Sequence, residues 1–234
     1  MKLTALLTVA ILSVTSHFVT TYAEEPPAAD AKPADDAKPE ETKAEDSKPP
    51  DDEVKENIKK LIAEKKCPEC NLKDAKIRPE KKGEILDLED ADLSKAKLEG
   101  AKFIRVNLRN ANFTEATLKG AKLADTNLEG ANFEKADLEG ANLRHSKLRT
   151  AKFPNAKLKK ANLSQCDLSE TNLEGANLDS ADLTFADLKK AVLKKANFQK
   201  AKLVNADISD ADVEGADFKG ADTKGMHNDS KKKK

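Results

Sequence analysis

The chain has no tryptophan, one tyrosine and eight phenylalanines in its 234 residues. So few large aromatic groups, with charged residues at 36%, give the composition of a polar chain prone to disorder, and not all of this length can fold into one core. Net charge is missing as well, because 42 basic residues balance 42 acidic ones. That balance argues against a bulk nucleic-acid binder and against an extreme acidic mimic. A long apolar run is also lacking. The only candidate, Leu3 to Val14, is short for a membrane span. It follows Lys2 and precedes Thr21-Tyr22-Ala23, whose small residues suit a cleavage site. Residues 1–23 therefore read as a signal peptide cut after Ala23, with an uncleaved anchor as the competing reading. No cysteine lies near the cut, which speaks against a lipoprotein anchor. Export, to periplasm, lumen or extracellular space, puts the mature chain where disulfides persist, and no membrane span is expected after cleavage.

What is present is order. Residues 24–52 are almost entirely Ala, Pro, Glu, Asp and Lys, including Pro26, Pro27, Pro33, Pro39, Pro49 and Pro50. They have almost nothing to bury and read as a disordered tether. Residues 53–66 read as an amphipathic helix, with Val54, Ile58, Leu61 and Ile62 at helical spacing and Asp51 or Asp52 as N-cap. Its apolar stripe needs a surface, and the open end of the segment that follows offers one.

From Leu86 to Gly225 the unit Ala-polar-Leu-x-x recurs. Large apolar centres run from Leu88, Leu93 and Leu98 to Val213 and Phe218, twenty-seven consecutive centres spaced by five. Two residues before each centre stands Ala, replaced only at Leu86, Val106, Thr126, Ser146, Cys166 and Thr171. Upstream, Cys70-Asn71-Leu72 and Ala75-Lys76-Ile77 fit the unit. Leu72 and Leu88 are out of phase, so Arg78 to Glu84 is expected to form a bulge or loop. The array is bounded at residues 67–225, and residues 226–234 are expected to be a basic, disordered tail ending in Lys231 to Lys234.

A period of five fits neither a helix at about 3.6 nor a strand at about 2. It fits a chain that turns a corner every five residues, with one large and one small side chain inward. The outward charges say how many corners close a coil. At steps of twenty the sign alternates: Glu99, Lys119, Glu139, Lys159, Asp179; then Glu89, Arg109, Glu129, Arg149; then Glu174, Lys194, Glu214. Coils stacked ~4.8 Å apart gain from opposite charges in register. Four units per coil are therefore predicted, with Phe113, Phe133 and Phe153 stacked inside.

The Ala-Asp/Asn-Leu-x-x array resembles the pentapeptide-repeat family. The resemblance implies an all-β fold, a right-handed quadrilateral β-helix, here preceded by a short capping α-helix. The family's best-known activity is protection or inhibition of DNA gyrase by members that mimic DNA, and most members have no assigned role.

Few residues carry chemistry. Cys67-Pro68-Glu69-Cys70 admits a disulfide, two reduced thiols used in packing, or a redox pair. A zinc site needs two more ligands, and a c-type haem site needs His where Asn71 stands. The redox reading lacks the strand-then-helix context of thioredoxin-like pairs. Cys166 takes an inward Ala position and reads as core. No cofactor, no metal site and no catalytic residue is expected. Arg144, Lys147, Arg149, Lys152, Lys157, Lys159 and Lys160 form a basic belt that either grips a polyanion or pairs with acidic belts on neighbouring coils; the alternation favours pairing. The least charged column contains Ile104, Thr184 and Val204, with Phe185 alongside, and is the candidate partner face. The resulting expectation is an exported, non-catalytic rod that acts as a protein-interaction or structural scaffold, its partner another protein or an envelope component rather than nucleic acid. The alternatives are a DNA-mimic modulator of gyrase or topoisomerase and a thiol redox protein using Cys67 and Cys70.

Overall fold

The five-residue period produces corners. In the computed structural model, which describes residues 51–229, every fifth residue from Asp90 to Gly225 has a positive φ, between 53° and 60° at the non-glycine positions. Most corners are closed by the small inward residue, as where Ala91 N–H donates to Leu88 O at 3.1 Å. A left-handed residue every five, with an otherwise extended backbone, folds the chain into flat-sided coils. All nine glycines have positive φ; eight stand at these corners and Gly83 stands in a loop.

The preference for Asn or Asp before each centre has a local cause. Its side-chain oxygen accepts the backbone N–H two residues on, as Asn112 Oδ1 does from Thr114 N at 3.1 Å and Asp182 Oδ1 from Thr184 N at 3.0 Å. The same residues pair coil to coil, parallel and in steps of twenty, from Asp92↔Asn112 through Asp207↔His227. Asn107 Nδ2 donates to Asp87 Oδ1 at 2.9 Å and Asn112 Nδ2 to Asp92 Oδ1 at 3.2 Å, so side chains ladder alongside the backbone. The step of twenty establishes four units per coil.

The first coil is longer. Lys66 pairs with Asp92, Asn71 with Lys97, and β1 (Lys76–Ile77) with β3 (Lys102–Phe103) in register Lys76↔Lys102. These steps are twenty-six residues. β2 (Leu86–Asp87) then pairs with β4 (Val106–Asn107) at the normal twenty. Six extra residues therefore leave the coil after Ile77 and return at Leu86, where the break in phase predicted a loop.

Helix α1 (Asp51–Glu64) precedes the coils. It begins two residues earlier than expected, so Asp51 and Asp52 lie in its first turn and neither is the N-cap. Leu61 is fully buried and Val54 and Ile58 pack against the coil interior, while Ile62 stays 37% exposed and is not part of the stripe. Asn57 Nδ2 donates to Asn71 O at 3.0 Å.

Inside, the centres are buried from Leu72 to Ile208. Phe113, Phe133 and Phe153 stack with centroids 4.8 Å apart and planes within 4°; Phe198 and Phe218 form a second stack at 4.9 Å. The exceptions to Ala fall almost entirely in one column. Leu86, Val106, Thr126, Ser146 and Cys166 lie twenty apart and are followed by Ala186 and Ala206, a column that loses bulk from its N-terminal end. Its buried polar members are satisfied: Ser146 Oγ donates to Leu123 O at 2.7 Å and Cys166 Sγ to Leu143 O at 2.9 Å. Burial pushes the Cys166 thiol up to about 12, against hydrogen bonds from the Ser146 and His145 backbone.

At the C-terminal end the coil runs past Gly225. Met226 packs against the interior, and His227 N–H donates to Ala206 O at 2.9 Å. The expected boundary at 225 is therefore two residues short. The expected signal peptide, the tether through residue 50 and Lys231 to Lys234 lie outside the described residues. Among the described residues no helix is long and apolar enough to cross a membrane.

Candidate interaction surface

With Leu, Phe and Ala filling most of the interior, the charged side chains of the coils are displayed on four outer faces. Part of the charge there is engaged between coils. Arg109 Nη1 reaches Glu89 at 3.3 Å, Lys159 reaches Asp179 at 3.2 Å and Lys194 reaches Glu214 at 3.3 Å, the pairs expected at steps of twenty. Others choose a diagonal partner. Lys119 turns to Asp137 at 3.5 Å rather than to Glu99 or Glu139, and Arg149 takes Glu170 at 2.8 Å rather than Glu129. Glu99 Oε2 is shielded without a partner. A long side chain reaches several residues of the next coil, so backbone register alone does not select its partner.

The basic belt is a ring. Arg144, Lys147, Arg149, Lys152, Lys157, Lys159 and Lys160 follow one circuit of the coil and so face all four sides. Lys157 pairs with Asp137 at 3.8 Å, Lys159 and Arg149 pair with the acids above, and Arg144 donates to Gln165 Oε1 at 3.1 Å. Lys147, Lys152 and Lys160 have no ion pair among the described residues. A polyanion on one side meets only part of this ring.

The candidate partner column is divided. Ile104 is 46% and Phe185 58% exposed, whereas Thr184 and Val204 are half-buried. Ile104 and Phe185 are four coils apart, about 19 Å at the spacing of paired strands, so they do not form one patch. The sequence reading missed Ile85, 70% exposed at the foot of the 78–85 loop. Its signal was a large apolar residue out of phase, directly before the inward Leu86. This loop is rooted on the same edge: Ile104 N–H donates to Ile77 O at 3.0 Å and Leu86 N–H to Arg105 O at 2.9 Å. Three open depressions lie along this side of the rod. Glu129, His145, Lys147, Arg149, Gln165 and Asp167 line one of mixed charge, and two more flank the loop.

Cys67 and Cys70 occupy a corner of the first coil. Cys67 is a centre, Glu69 (φ 60°) the left-handed residue and Cys70 the small inward position. The structure joins their sulfur atoms in a disulfide, with Cα atoms 5.3 Å apart, and both residues are buried. No group of three or more His, Cys, Asp or Glu among the described residues is placed to hold a metal ion.

Sequence comparison matches the family model described as pentapeptide repeats in eight copies, over residues 87–123, 111–149, 146–184, 156–194 and 181–220. No curated protein matches the chain. Similar solved structures include HetL, a pentapeptide repeat protein involved in heterocyst differentiation regulation in the cyanobacterium Nostoc. It is 28% identical over 69% of this chain and 88% of its own, with a TM-score of 0.42. Rfr23 from the cyanobacterium Cyanothece is 20% identical over 75% of this chain and 99% of its own, with a TM-score of 0.42. A pentapeptide repeat protein of the Arabidopsis thaliana thylakoid lumen is 32% identical over 47% of this chain and 63% of its own, with a TM-score of 0.28.

Proposed function

This chain belongs to the pentapeptide-repeat family, whose members form right-handed quadrilateral β-helices, and from that premise we propose that it is an exported, non-catalytic rod acting as a protein-interaction or structural scaffold. The observation behind this reading is the filled interior. Each coil is packed with side chains from Leu72 to Ile208, so only the outer surface is left to meet other molecules. Helix α1 serves as the cap of the N-terminal end through Leu61, as solenoid ends require. The segment before it is the tether, and the first 23 residues direct export. The partner is another protein or an envelope component.

One feature favours this over a nucleic-acid mimic of gyrase. Mimicry needs a continuous acidic face, and here acids occupy rings that neighbouring lysines neutralise, as at Lys189–Asp207 (3.1 Å) and Lys194–Asp212 (3.2 Å). The redox alternative is opposed by burial, because Cys67 is wholly shielded and thiol exchange needs access to a sulfur. We read the Cys67–Cys70 bond as a fastening of the first coil.

Chemical crosslinking of the mature protein in its own compartment, followed by mass spectrometry, tests the proposal. The expected result is a reproducible partner whose crosslinks map to outer faces of the rod, retained when Cys67 and Cys70 are both replaced by Ser. Turnover in a broad hydrolase and oxidoreductase screen, abolished by a surface substitution, would contradict it. Inhibition of gyrase supercoiling at micromolar concentration would replace it with the mimic reading.

A further inference from the structure

The loop inserted in the first coil makes a groove that the repeats cannot make. It leaves at Ile77 and returns at Leu86, with both feet held by the Ile104–Arg105 edge of the next coil. One side of the groove is loop, contributing Arg78, Pro79, Lys82 and Gly83; the other is Ile104 and Arg105. Its two remaining lining residues are Glu80 and Lys81, the latter 3.8 Å from Glu84.

Two departures from the rest of the rod coincide here. The first is apolar. Only four large hydrophobic residues are exposed among the described residues, and two of them, Ile85 and Ile104, flank this loop. The second is electrostatic. Arg78, Lys82 and Arg105 have no ion pair among the described residues, and all three line this one groove. Four cations against one carboxylate line the groove, on a chain whose formal net charge is zero. Leaving three cations unpaired around an exposed isoleucine gives no stability to the coil, since the inter-coil pairing that offsets like-charge repulsion is absent. It does suit a ligand that brings both the acids and an apolar surface.

We propose that this groove is a binding site for an acidic peptide segment of a partner protein, one apolar side chain seated on Ile104 and flanking carboxylates on Arg78, Lys82 and Arg105. The proposal rests on the interaction-rod reading and names the chemistry of its partner. Arg105 supplies a planar guanidinium suited to bidentate carboxylate pairing. The exposed Ile104 distinguishes a peptide from a nucleic acid, whose backbone offers charge but no aliphatic side chain.

Fluorescence anisotropy with the full chain provides the test. The probes are a labelled peptide alternating Asp and Glu with Leu, the same peptide with Ser for Leu, the same with Gln for Asp and Glu, and a single-stranded oligonucleotide. The acidic leucine peptide is expected to bind, and each of the other three to bind at least about tenfold more weakly, about 1.4 kcal/mol. Arg105→Glu and Lys82→Glu are each expected to weaken the acidic leucine peptide about tenfold, and Ile104→Asn several-fold, while Lys152→Glu on another face leaves it unchanged. Circular dichroism melts verify that the exposed substitutions leave the coil folded. No binding of the acidic leucine peptide, equal binding of the serine peptide, tighter binding of the oligonucleotide, or indifference to Arg105→Glu each overturns the proposal. A partner found by crosslinking to the rod away from residues 78–105, with no peptide bound in the groove, overturns this site and leaves the scaffold reading standing.

Discussion

Gly130 lies one coil above Asn110, and the Asn110 side-chain oxygen occupies the space that a β-carbon on Gly130 would take. Three other glycines repeat the relationship: Gly100 above Asp74, Gly175 above Asn155 and Gly225 above Asn205. Gly120 and Gly140 meet nothing within 4 Å. Glycine at a corner thus has two separate causes, a left-handed backbone everywhere and, at four places, a neighbour's carbonyl or carboxyl oxygen. Gly120→Ala bears only the backbone cost, about 1 kcal/mol. Gly130→Ala bears the same and must also displace Asn110, so its loss is expected to be larger by about 1–2 kcal/mol. The double variant Asn110→Ala with Gly130→Ala should return to the Gly120→Ala level. Urea unfolding of the four proteins measures this, and equal losses for the two single variants would remove the steric cause.

The repeat, its four-sided closure and the Phe113–Phe133–Phe153 stack were legible because they depend on which residues fit inside, and inward positions tolerate little variety. The pairing of Asn110 with Gly130 lies in the sequence at the same step of twenty, as does the Leu86-to-Cys166 column, but the five-residue period alone does not single out either. Charge partners were half legible. Arg109–Glu89 follows register, while Lys119 spans to Asp137 because a long flexible stem is not bound to the residue directly opposite. The groove was not legible. The phase break located a loop, but no periodicity says which way inserted residues fold back, and Ile85 gains meaning only beside Ile104 and Arg105.

Depth along the stack should govern the cost of losing an interior ring. Phe133 is sandwiched between Phe113 and Phe153 and fully buried, whereas Phe218 stacks on Phe198 from one side near the C-terminal end and is only partly covered. Phe133→Ala is expected to cost about 3–5 kcal/mol and Phe218→Ala less than about 2 kcal/mol. Chemical denaturation distinguishes the two, and equal costs would mean that the C-terminal coil is covered as fully as the middle of the stack.

Stability should form a plateau in pH. Asp212 is held below the usual carboxylate range by the Glu214 backbone N–H and by Lys194. Asp217 is lowered by the Gln199 amide and the Lys219 N–H, and Asp179 by Ser180 and Lys159. Because folding lowers these values, their contribution is present above the unfolded value near pH ~4 and is lost as pH falls through the folded ones. Lys189 is raised by Asp207 and Asp187, and Lys194 by Asp212 and Glu214. Their contribution is present below about pH 10.4 and is lost as pH rises through the folded values. The urea midpoint is expected to be flat from about pH 5 to 10 and to fall on both sides. Since these groups are exposed, 1 M salt should flatten both limbs. An acid limb unaltered in Asp212→Asn with Asp217→Asn would assign it to other carboxylates.

Phe185 stands at a corner with φ 59°, where its ring is 58% exposed and the side chain gains little from burial. A bulky residue in the left-handed region is costly, about 1–2 kcal/mol. Glycine relieves that strain but enlarges the unfolded ensemble, which offsets part of the gain. Phe185→Gly is therefore expected to raise stability by about 0.5 kcal/mol, as read from the urea midpoint. Strain kept at an exposed aromatic residue is the pattern of a residue held for contact rather than for folding. If this corner touches the partner, the same substitution should weaken capture of the crosslinked protein while the rod becomes more stable. A loss of stability on Phe185→Gly would show that the ring packs usefully on its own coil, and unchanged capture would restrict the partner face to other residues.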